Sequence, residues 1–248
     1  MQNLSNLIIS HEILTVLVIH EMDLANSVAF HSLSRSMQES GGKGHLFIYD
    51  NSPQSQIPAL SPLWNIFYQH DPENSGVSRA YNQAFLKADK LGIKWMLFAD
   101  QDTTFPENIY LRYQQSVEAY PECQVFAPHL TDQKGIVSPF RRGLTSGKRI
   151  REFAIGKKNI RQYQAINSGL LITTKLFETS GGYDERLRLD FSDFNFFTKL
   201  QQHTPHIVFL NTDCKHQHSS TEKMSINTAL KRFKLYLEAA KVMSNQSL

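Results

Sequence analysis

Short apolar runs alternate with segments of helical spacing along the first half of the chain. The run Ile13–Ile19 is continuous and rich in β-branched residues, which is typical of a strand buried on both faces. The alternation predicts helices at 24–39, 78–91 and 107–120, and strands at 13–19, 46–49, 65–68, 94–99 and 125–127. Elements in this order predict an α/β fold with a mostly parallel central sheet and helices on both faces.

The pattern weakens after residue 130 and recovers near residue 166. Residues 131–161 are polar, basic and glycine-bearing, which predicts a mobile loop. Further along, the pattern predicts an ordered stretch at 166–173, helices at 175–179 and 191–202, and a strand at 206–210. A terminal helix is predicted at 225–243, with one apolar face formed by Ile226, Leu230, Phe233 and Leu237. We expect this face to pack on the core, and a membrane-surface contact and a homodimer contact are the open alternatives.

Composition fits one globular domain better than a nucleic-acid-binding protein. The 248 residues suit a single large α/β domain, and a net charge of +3 is too mild for a dedicated nucleic-acid binder. Cations are nevertheless concentrated at Arg141, Arg142, Lys148, Arg149, Arg151, Lys157, Lys158 and Arg161, opposed in that stretch only by Glu152. The segment 141–161 is interpreted either as a solvated loop or as an acceptor loop that recognises phosphate.

Cysteine usage and the apolar runs predict a cytoplasmic protein. Cys123 and Cys214 are far apart and in no CxxC spacing, so neither a zinc site nor a disulfide framework is indicated. The first residues lack a basic segment, and Ile13–Ile19 is too short to span a bilayer. We therefore expect neither a secretion signal nor a transmembrane helix.

Two carboxylates follow the predicted strand at 94–99. Side chains at i and i+2 of an extended segment point to the same side, so Asp100 and Asp102 can reach one cation together. Carboxylate oxygens suit Mg²⁺ or Mn²⁺ that carries phosphate oxygens. The alternative is an Asx turn or a helix cap formed by Asp102 or Thr103.

Polar residues also follow two other predicted strands. Asp50 ends the strand at 46–49, and Asn74 follows the strand at 65–68 after a short loop. Ligands of open α/β sheets bind at the carboxyl ends of the strands. Asp50 can accept a hydrogen bond from a pyrimidine or a ribose hydroxyl, or it can form an Asx turn before Pro53.

The order of these segments resembles glycosyltransferase family 2, and within it the rhamnosyltransferase-like bacterial enzymes of the GT-A fold. The matching segments are Tyr49-Asp50-Asn51-Ser52, the Asn-x-Gly to Ala-x-Asn stretch at 74–82, the DxD motif Asp100-Gln101-Asp102, and Asn167-Ser168-Gly169 followed by Gly181-Gly182-Tyr183-Asp184-Glu185. The resemblance covers residues 13–219. It implies a single GT-A domain, with a nucleotide-sugar-binding half at 11–130, an acceptor-binding half at 131–222 and a C-terminal helix at 223–248.

The resemblance also implies roles for individual residues. The nucleotide sugar is assigned to Asp50, Asn74, Asn82, Asp100 and Asp102. The acceptor is assigned to Asn167, Ser168, Gly169, Asp184 and Asp190. A Mg²⁺ or Mn²⁺ ion would be held by Asp100, Asp102 and His216, because His216 and Ser219 match the family's His-x-x-Ser pattern. A lone histidine in a loop is usually not a metal ligand, and that alternative stays open.

An inverting transfer requires a base that takes the proton of the attacking hydroxyl. The family's block reads Asp-x-x-Asp-x-Glu, and its middle acid matches Asp193, which is therefore the predicted base. The block departs from this pattern at Asn195, where an acid is usual, and the departure bears on acceptor choice. The alternative is that Asp190 or Ser192 merely caps the helix that follows.

The resemblance implies a metal-dependent inverting glycosyltransferase of bacterial surface polysaccharide synthesis. Its donor would be dTDP-rhamnose or a UDP-hexose, its acceptor a glycan or lipid-linked glycan, and its place the cytoplasm or the inner face of the membrane. One alternative is a nucleotidyltransferase acting on sugar phosphates, but no Gly-rich phosphate loop follows the first strand. The other is a non-catalytic sugar-binding module, which would not need Asp100, Asp102 and Asp193 together.

Overall fold

The computed structural model describes residues 11–56, 58, 61–142, 147–216 and 226–246. The strands are β1 (Ile13–Ile19), β2 (Gly44–Asp50), β3 (Trp64–His70), β4 (Trp95–Asp100), β5 (Thr103–Thr104), β6 (Val125–Asp132), β7 (Gly135–Ser138), β8 (Phe140–Arg142), β9 (Gly147–Arg149), β10 (Gly156–Asn159), β11 (Tyr163–Gln164), β12 (Leu171–Thr173) and β13 (His206–His216). The α-helices are α1 (Val28–Glu39), α2 (Val77–Lys90), α3 (Ile109–Ala119), α4 (Thr174–Thr179), α5 (Ser192–Leu200) and α6 (Ile226–Gln246).

The central sheet contains a parallel block in the order β4-β1-β2-β3. Next to β4 lies β12 in the antiparallel sense, and beyond it β6 and β13 are parallel to each other. The pairings Ile19–Asp50 and Val18–Asp100 place the ends of β2 and β4 almost level on either side of β1. The predicted α/β fold with a mostly parallel sheet is confirmed, and the polar strand ends share one edge of that sheet.

Helices cover both faces of the sheet, because strand residues alternate between two apolar layers. In β4, Phe98 belongs to one layer and Leu97 to the other. The first layer contains Ala84 of α2, a small and fully buried residue that lets this helix approach the sheet closely. The second layer contains Leu33 of α1 and Tyr110 of α3. Full burial of one large apolar side chain contributes about 1.5–3 kcal/mol, so the two layers hold the strand ends in fixed positions.

The prediction of a mobile loop at 131–161 is wrong for the described part of that segment. β7 pairs with β6, β8 pairs with β9, and β10 pairs with β13. Half-buried and exposed residues alternate in β10, since one face of this edge strand is solvated. Edge strands tolerate lysines on the solvent side, which is why the basic composition concealed them. Residues 143–146 lie outside the described residues.

The predicted terminal helix is present as α6, but its apolar stripe does not pack on the core. The exposed fractions are 80, 54, 56 and 50% for Ile226, Leu230, Phe233 and Leu237. Another face of α6 makes the contact, because the Tyr236 ring lies 5.2 Å from the Phe191 ring. Within the described ranges, no helix has the length and hydrophobicity needed to cross a membrane.

Candidate active site

Asp100, Asp102 and His216 converge at the carboxyl edge of the sheet. Each offers one ligand atom, and these atoms lie within 4.8 Å of one another. Asp100 ends β4 and Asp102 lies in the turn that follows, whereas His216 ends β13. The antiparallel pairing of β5 with β13 sets Thr103 opposite His216 and so brings the histidine to the acidic turn. The structure thus assembles the three predicted metal ligands, and metal binding itself stays a prediction.

A chain of hydrogen bonds fixes this cluster from behind. The Asp100 backbone N–H donates to Ser168 Oγ at 3.1 Å, and the Ser168 hydroxyl donates to Thr103 Oγ1 at 2.8 Å. Thr103 Oγ1 in turn lies 2.8 Å from His216 Nδ1. In the tautomer in which Nδ1 donates to Thr103, Nε2 carries no proton and can ligate a cation. Ser168, predicted to contact the acceptor, therefore also positions the cluster.

The electrostatics of Asp100 favour a cation. Burial, and next the charge of Asp102, raise the pKa of Asp100 to about 7, against a smaller opposing effect of the hydrogen bond from Tyr81. The Tyr81 hydroxyl donates that bond to Asp100 Oδ1 at 3.3 Å. Two neighbouring carboxylates repel one another until a proton or a cation neutralises one of them. Two carboxylates with one imidazole suit Mn²⁺, while Mg²⁺ prefers oxygen ligands, so the residues present fit the predicted ion.

Asp193 lies in the first turn of α5, close to the same cluster. Burial, and next the charge of Asp100, raise the pKa of Asp193 to about 8, although hydrogen bonds from Ser192 and Asn167 oppose the shift. Its Oδ1 atom is buried and has no hydrogen-bond partner among the described residues. A carboxyl group with a pKa near neutrality and an unused acceptor oxygen has the properties of a general acid or base.

Solved structures match this chain at low sequence identity. No protein-family model and no curated protein matches its sequence. The crystal structure of S. aureus TarS 1-349 matches with a TM-score of 0.59 and 14% identity over 82% of this chain. The complexes of the same TarS fragment with UDP and with UDP-GlcNAc match with a TM-score of 0.59 and 13% identity over 84 and 86% of the chain. This chain spans 60 to 62% of the length of those structures.

TarS is a GT-A glycosyltransferase. This chain has the GT-A fold. The predicted fold class is therefore confirmed, since the likeness extends over most of the chain. At 13–14% identity the likeness concerns the fold alone, so family 2 and its rhamnosyltransferase-like branch stay predictions.

Asp50 is fully buried in the GT-A domain and is surrounded by donors. Its carboxylate accepts hydrogen bonds from the Ser52 N–H at 2.9 Å, the Tyr68 hydroxyl at 2.7 Å and Gln56 Nε2 at 3.3 Å. Burial alone would raise the pKa of Asp50, but these bonds hold it below its ordinary value. The bond from Ser52 is the Asx turn that the sequence offered as the alternative. The contact of Asp50 with a nucleotide stays a prediction.

The predicted donor segment at 74–82 contacts the chain at 183–188. Asn74 is exposed and left-handed, with φ of 48°, and its Nδ2 lies 3.3 Å from His20 Nε2. Gly76 has φ of 91°, and a Cβ atom there would lie 2.1 Å from the Arg188 carbonyl oxygen. The next residue, Val77, donates its N–H to that same oxygen at 2.8 Å. Only glycine fits this close approach.

Asn82 and Asp184 both shape the turn at 181–185. The Asn82 side chain accepts a hydrogen bond from the Tyr183 N–H and donates to the Tyr183 carbonyl, both at 3.0 Å. Asp184 forms a bidentate ion pair with Arg186, with a shortest contact of 2.7 Å. Both side chains therefore hold the turn in place. Their assigned contacts with donor and acceptor stay predictions.

Asn167 and Gly169 flank Ser168, which hydrogen-bonds the cluster. Asn167 hydrogen-bonds Asp193 through its backbone and its side chain, and its Oδ1 accepts from the Tyr183 hydroxyl at 2.5 Å. Gly169 has φ of 81°, and a Cβ atom there would lie 2.6 Å from Pro128 Cγ. The segment 167–169 thus contacts both Asp100, through Ser168, and Asp193, through Asn167, and its assigned contact with an acceptor stays a prediction.

Asp190 does not cap α5, which corrects one interpretation of the sequence. The residue at the N-cap is Phe191, and its side chain forms no capping bond. Phe191 adopts φ of 65°, an unusual conformation for a bulky residue. Ser192 donates instead to the Leu189 carbonyl at 2.8 Å. Asp190 is half-buried, with an Oδ2 atom that has no hydrogen-bond partner among the described residues.

Sequence reasoning missed Tyr81, Thr103 and Tyr183 as parts of the site. Tyr81 and Tyr183 occupy variable positions of the matched motifs, and Thr103 follows the DxD motif. Burial, followed by the nearby carboxylate charges, raises the pKa values of both tyrosines, so their hydroxyls remain donors. A polar residue directly beside a motif was the one available signal. The contacts of these residues depend on packing across the sheet, which a linear pattern does not contain.

Proposed function

We propose that this protein is a divalent-cation-dependent, inverting glycosyltransferase that takes its sugar from a UDP- or dTDP-linked donor. The observation that carries the proposal is the convergence of Asp193 with the Asp100, Asp102 and His216 cluster. The UDP and UDP-GlcNAc complexes of the TarS fragment support a uridine donor. Membership of family 2 and a rhamnosyl or hexosyl specificity belong to the proposal.

Asp193 is the proposed general base. The acceptor hydroxyl donates its hydrogen bond to Asp193 Oδ1, the buried oxygen that lacks a partner among the described residues. As the hydroxyl oxygen attacks the anomeric carbon, its proton passes to this carboxylate. A single displacement from the face opposite the leaving group inverts the configuration at that carbon.

Asp100, Asp102 and His216 would hold the cation, which supplies positive charge to the departing diphosphate. Asp100 then has a second function, because its charge raises the pKa of Asp193. Neutralisation of Asp100 removes the second cause of this shift and lowers the pKa of Asp193, which favours its carboxylate form. The arrangement couples a loaded donor site to an active base.

The acceptor is proposed to be a glycan or a lipid-linked glycan of a bacterial surface polysaccharide. Asn167 hydrogen-bonds Asp193, and Ser168 and Gly169 follow it in the chain. Asp190 contributes a buried carboxylate oxygen three residues before Asp193 in the chain. Contact with the membrane surface and assembly into a homodimer are part of the same proposal. Both would use the exposed stripe on α6.

Nucleotide binding provides the test. UDP, dTDP, GDP and CMP are each added with and without Mn²⁺, and the melting temperature is measured. A ligand at about one hundred times its Kd stabilises a protein by about 2.7 kcal/mol. We expect a shift with UDP or dTDP that requires Mn²⁺ and disappears in Asp102→Asn. Absence of a shift with every nucleotide would contradict the donor site and favour a sugar-binding module.

A further inference from the structure

A concave site apart from the proposed active site is lined by a separate three-stranded sheet, in the order β11-β8-β9, and by the segment that follows β9. The cavity has a volume of about 400 Å³. The strands β8 and β11 contribute Arg141 and Tyr163, and β10 contributes Lys158. The remaining lining comes from the segment 149–154. None of these residues belongs to the donor or cation site described above.

The lining of this cavity is strongly cationic. Its cations are Arg141, Arg149, Arg151 and Lys158, and its acid is Glu152. Arg149 forms a bidentate ion pair with Asp132 outside the lining, at 3.0 and 3.2 Å. Since Glu152 offsets one further cation, two positive charges are left without compensation. Among the described residues, neither Arg151 nor Lys158 takes part in a salt bridge.

Arg141 is held in a defined orientation within the cavity. Its Nη2 donates to the Tyr163 hydroxyl at 2.9 Å, and its Cζ lies 5.3 Å from the centre of the Tyr163 ring. Stacking and the hydrogen bond fix the plane of the guanidinium, which lowers the entropy lost when it binds a ligand. A fixed guanidinium beside a flexible lysine matches the oxygens of a phosphate group.

Two links connect the lining of the cavity to Asp193. Tyr163 precedes Asn167 by four residues, which at full extension span at most about 14 Å. Asn167 hydrogen-bonds Asp193. On the neighbouring strand, the Phe140 ring lies 5.2 Å from the ring of Phe194, the residue after Asp193. An extended glycan could therefore place a phosphate in the cavity and a hydroxyl at the base.

We propose that the cavity formed by Arg141, Arg151 and Lys158 binds a phosphate group of the acceptor substrate. The identification of this phosphate as part of an acceptor rests on the proposed function, whereas anion binding by the cavity does not. Two kinds of acceptor carry this chemistry, namely a lipid diphosphate-linked glycan and a polymer of phosphodiester-linked units. In either kind the cavity holds the charged group while a hydroxyl of the same molecule reaches Asp193.

Inorganic pyrophosphate in EDTA tests the anion site by calorimetry, in an Asp102→Asn background that disables the cation cluster. The test variant is Arg151→Gln with Lys158→Gln. Lys158→Gln is also measured alone against Lys157→Gln, a matched control that removes one charge from the same strand. Lys157 is exposed and pairs with Glu122 at 2.8 Å instead of lining the cavity. We expect the Kd for pyrophosphate to rise at least about tenfold in the test variant and less than about twofold in the control.

Equal weakening by Lys157→Gln would overturn the site, because the binding would then reflect general surface charge. Undetectable pyrophosphate binding by the parent protein would overturn it as well. The Mn²⁺-dependent thermal shift with UDP is measured in parallel on the cavity variant with Asp102 intact. A preserved shift, together with undetectable pyrophosphate binding by the parent protein, rejects the cavity and leaves the glycosyltransferase standing. Pyrophosphate binding without any nucleotide shift supports the anion site and rejects the proposed function.

The two kinds of acceptor are separated by two further probes. One is a water-soluble glycerol phosphodiester oligomer, and the other is a polyprenyl diphosphate in detergent micelles. The proposal expects one of them to bind with a Kd that rises in the Arg151→Gln and Lys158→Gln variant but not in Lys157→Gln. Loss of this contrast for both probes would overturn the assignment to an acceptor phosphate.

Discussion

Asp50 and Asp100 end strands on either side of β1, yet their carboxylates lie in opposite environments. Asp50 accepts hydrogen bonds from Ser52, Tyr68 and Gln56, and these bonds lower its pKa against the effect of burial. Asp100 faces the charge of Asp102, and its pKa is raised to about 7. The Asp50 carboxylate is therefore stabilised by hydrogen-bond donors, whereas the Asp100 carboxylate is destabilised by burial and by a second carboxylate.

From this difference we expect a mainly structural role for Asp50 and a ligand-binding role for Asp100, at equivalent places in the sheet. A carboxylate whose oxygens are saturated by protein donors gains little from a ligand. Carboxylates that repel one another gain from a cation or a proton. Asp100 and Asp193 belong to the second class, and both have raised pKa values. Substitutions in the two classes should therefore have different effects. We expect loss of stability at Asp50 and loss of activity at Asp193.

The largest expected effect is on catalysis. Asp193→Asn should lower the rate of sugar transfer by about 10²–10⁴-fold, since it removes a general base. The Mn²⁺-dependent affinity for UDP should change little, because Asp193 is not one of the cluster's ligands. The measurement is UDP release in the presence of acceptor, together with the UDP Kd. Asp89→Asn, at an exposed position of α2 outside the site, is the control, and an equal loss of rate in that variant would reject Asp193 as the base.

Much of the parallel block could be predicted from sequence, because its strands are buried on both faces. Such strands form continuous apolar runs, as in β1 and β4, and their ends carry the polar residues. The Asx turn at Asp50 could also be predicted as an alternative, because it depends on two residues only two positions apart. Local spacing carried this information.

The part of the chain after residue 130 was less predictable, because its strands carry charge and pair with strands far away in sequence. β10 is a lysine-bearing edge strand, and its partner β13 lies more than forty residues further along the chain. The left-handed Phe191 also has no local signal, because tertiary contacts such as the Tyr236 ring fix its position. The resemblance named Asp193, but only the structure brings it to Asp100.

The start of α2 is held against the chain at Arg188, and Gly76 makes this close contact possible. Gly76→Ala should lower the free energy of unfolding by about 3 kcal/mol or more, because it adds backbone strain to a clash with the Arg188 carbonyl. The control is Gly41→Ala, where φ is 67° but nothing lies within 4 Å of the new Cβ. That change should cost about 1–2 kcal/mol. Urea unfolding of both variants gives the difference, and similar losses would show that the contact with Arg188 is unimportant.

Asp50→Asn tests whether this strand end is structural. We expect a loss of about 2–3 kcal/mol of unfolding free energy, because bonds to a buried charge are replaced by an amide that also presents donors. Asp23→Asn is the control, since Asp23 is exposed and its side chain forms no capping bond. It should stay within about 0.5 kcal/mol of the parent protein. A stable Asp50→Asn variant with a much weaker UDP affinity would instead make Asp50 a nucleotide ligand.

The last expected effect is a pH dependence of opposite sign at Asp50 and at Asp193, with about 1.4 kcal/mol for each unit of pKa shift. The folded pKa of Asp50 is lowered, so its stabilisation is present above pH 3.8 and is lost as the pH falls through the folded value. The folded pKa of Asp193 is raised, so its contribution is full below pH 3.8 and is lost as the pH rises through about 8. In EDTA, the unfolding free energy relative to Asp193→Asn should therefore fall from pH 5 to pH 9. Relative to Asp50→Asn, it should fall only in acid. A difference from Asp193→Asn that is flat over that range would mean that Asp193 is ionised in the cation-free protein, and the contrast between the two strand ends would then rest on Asp100 alone.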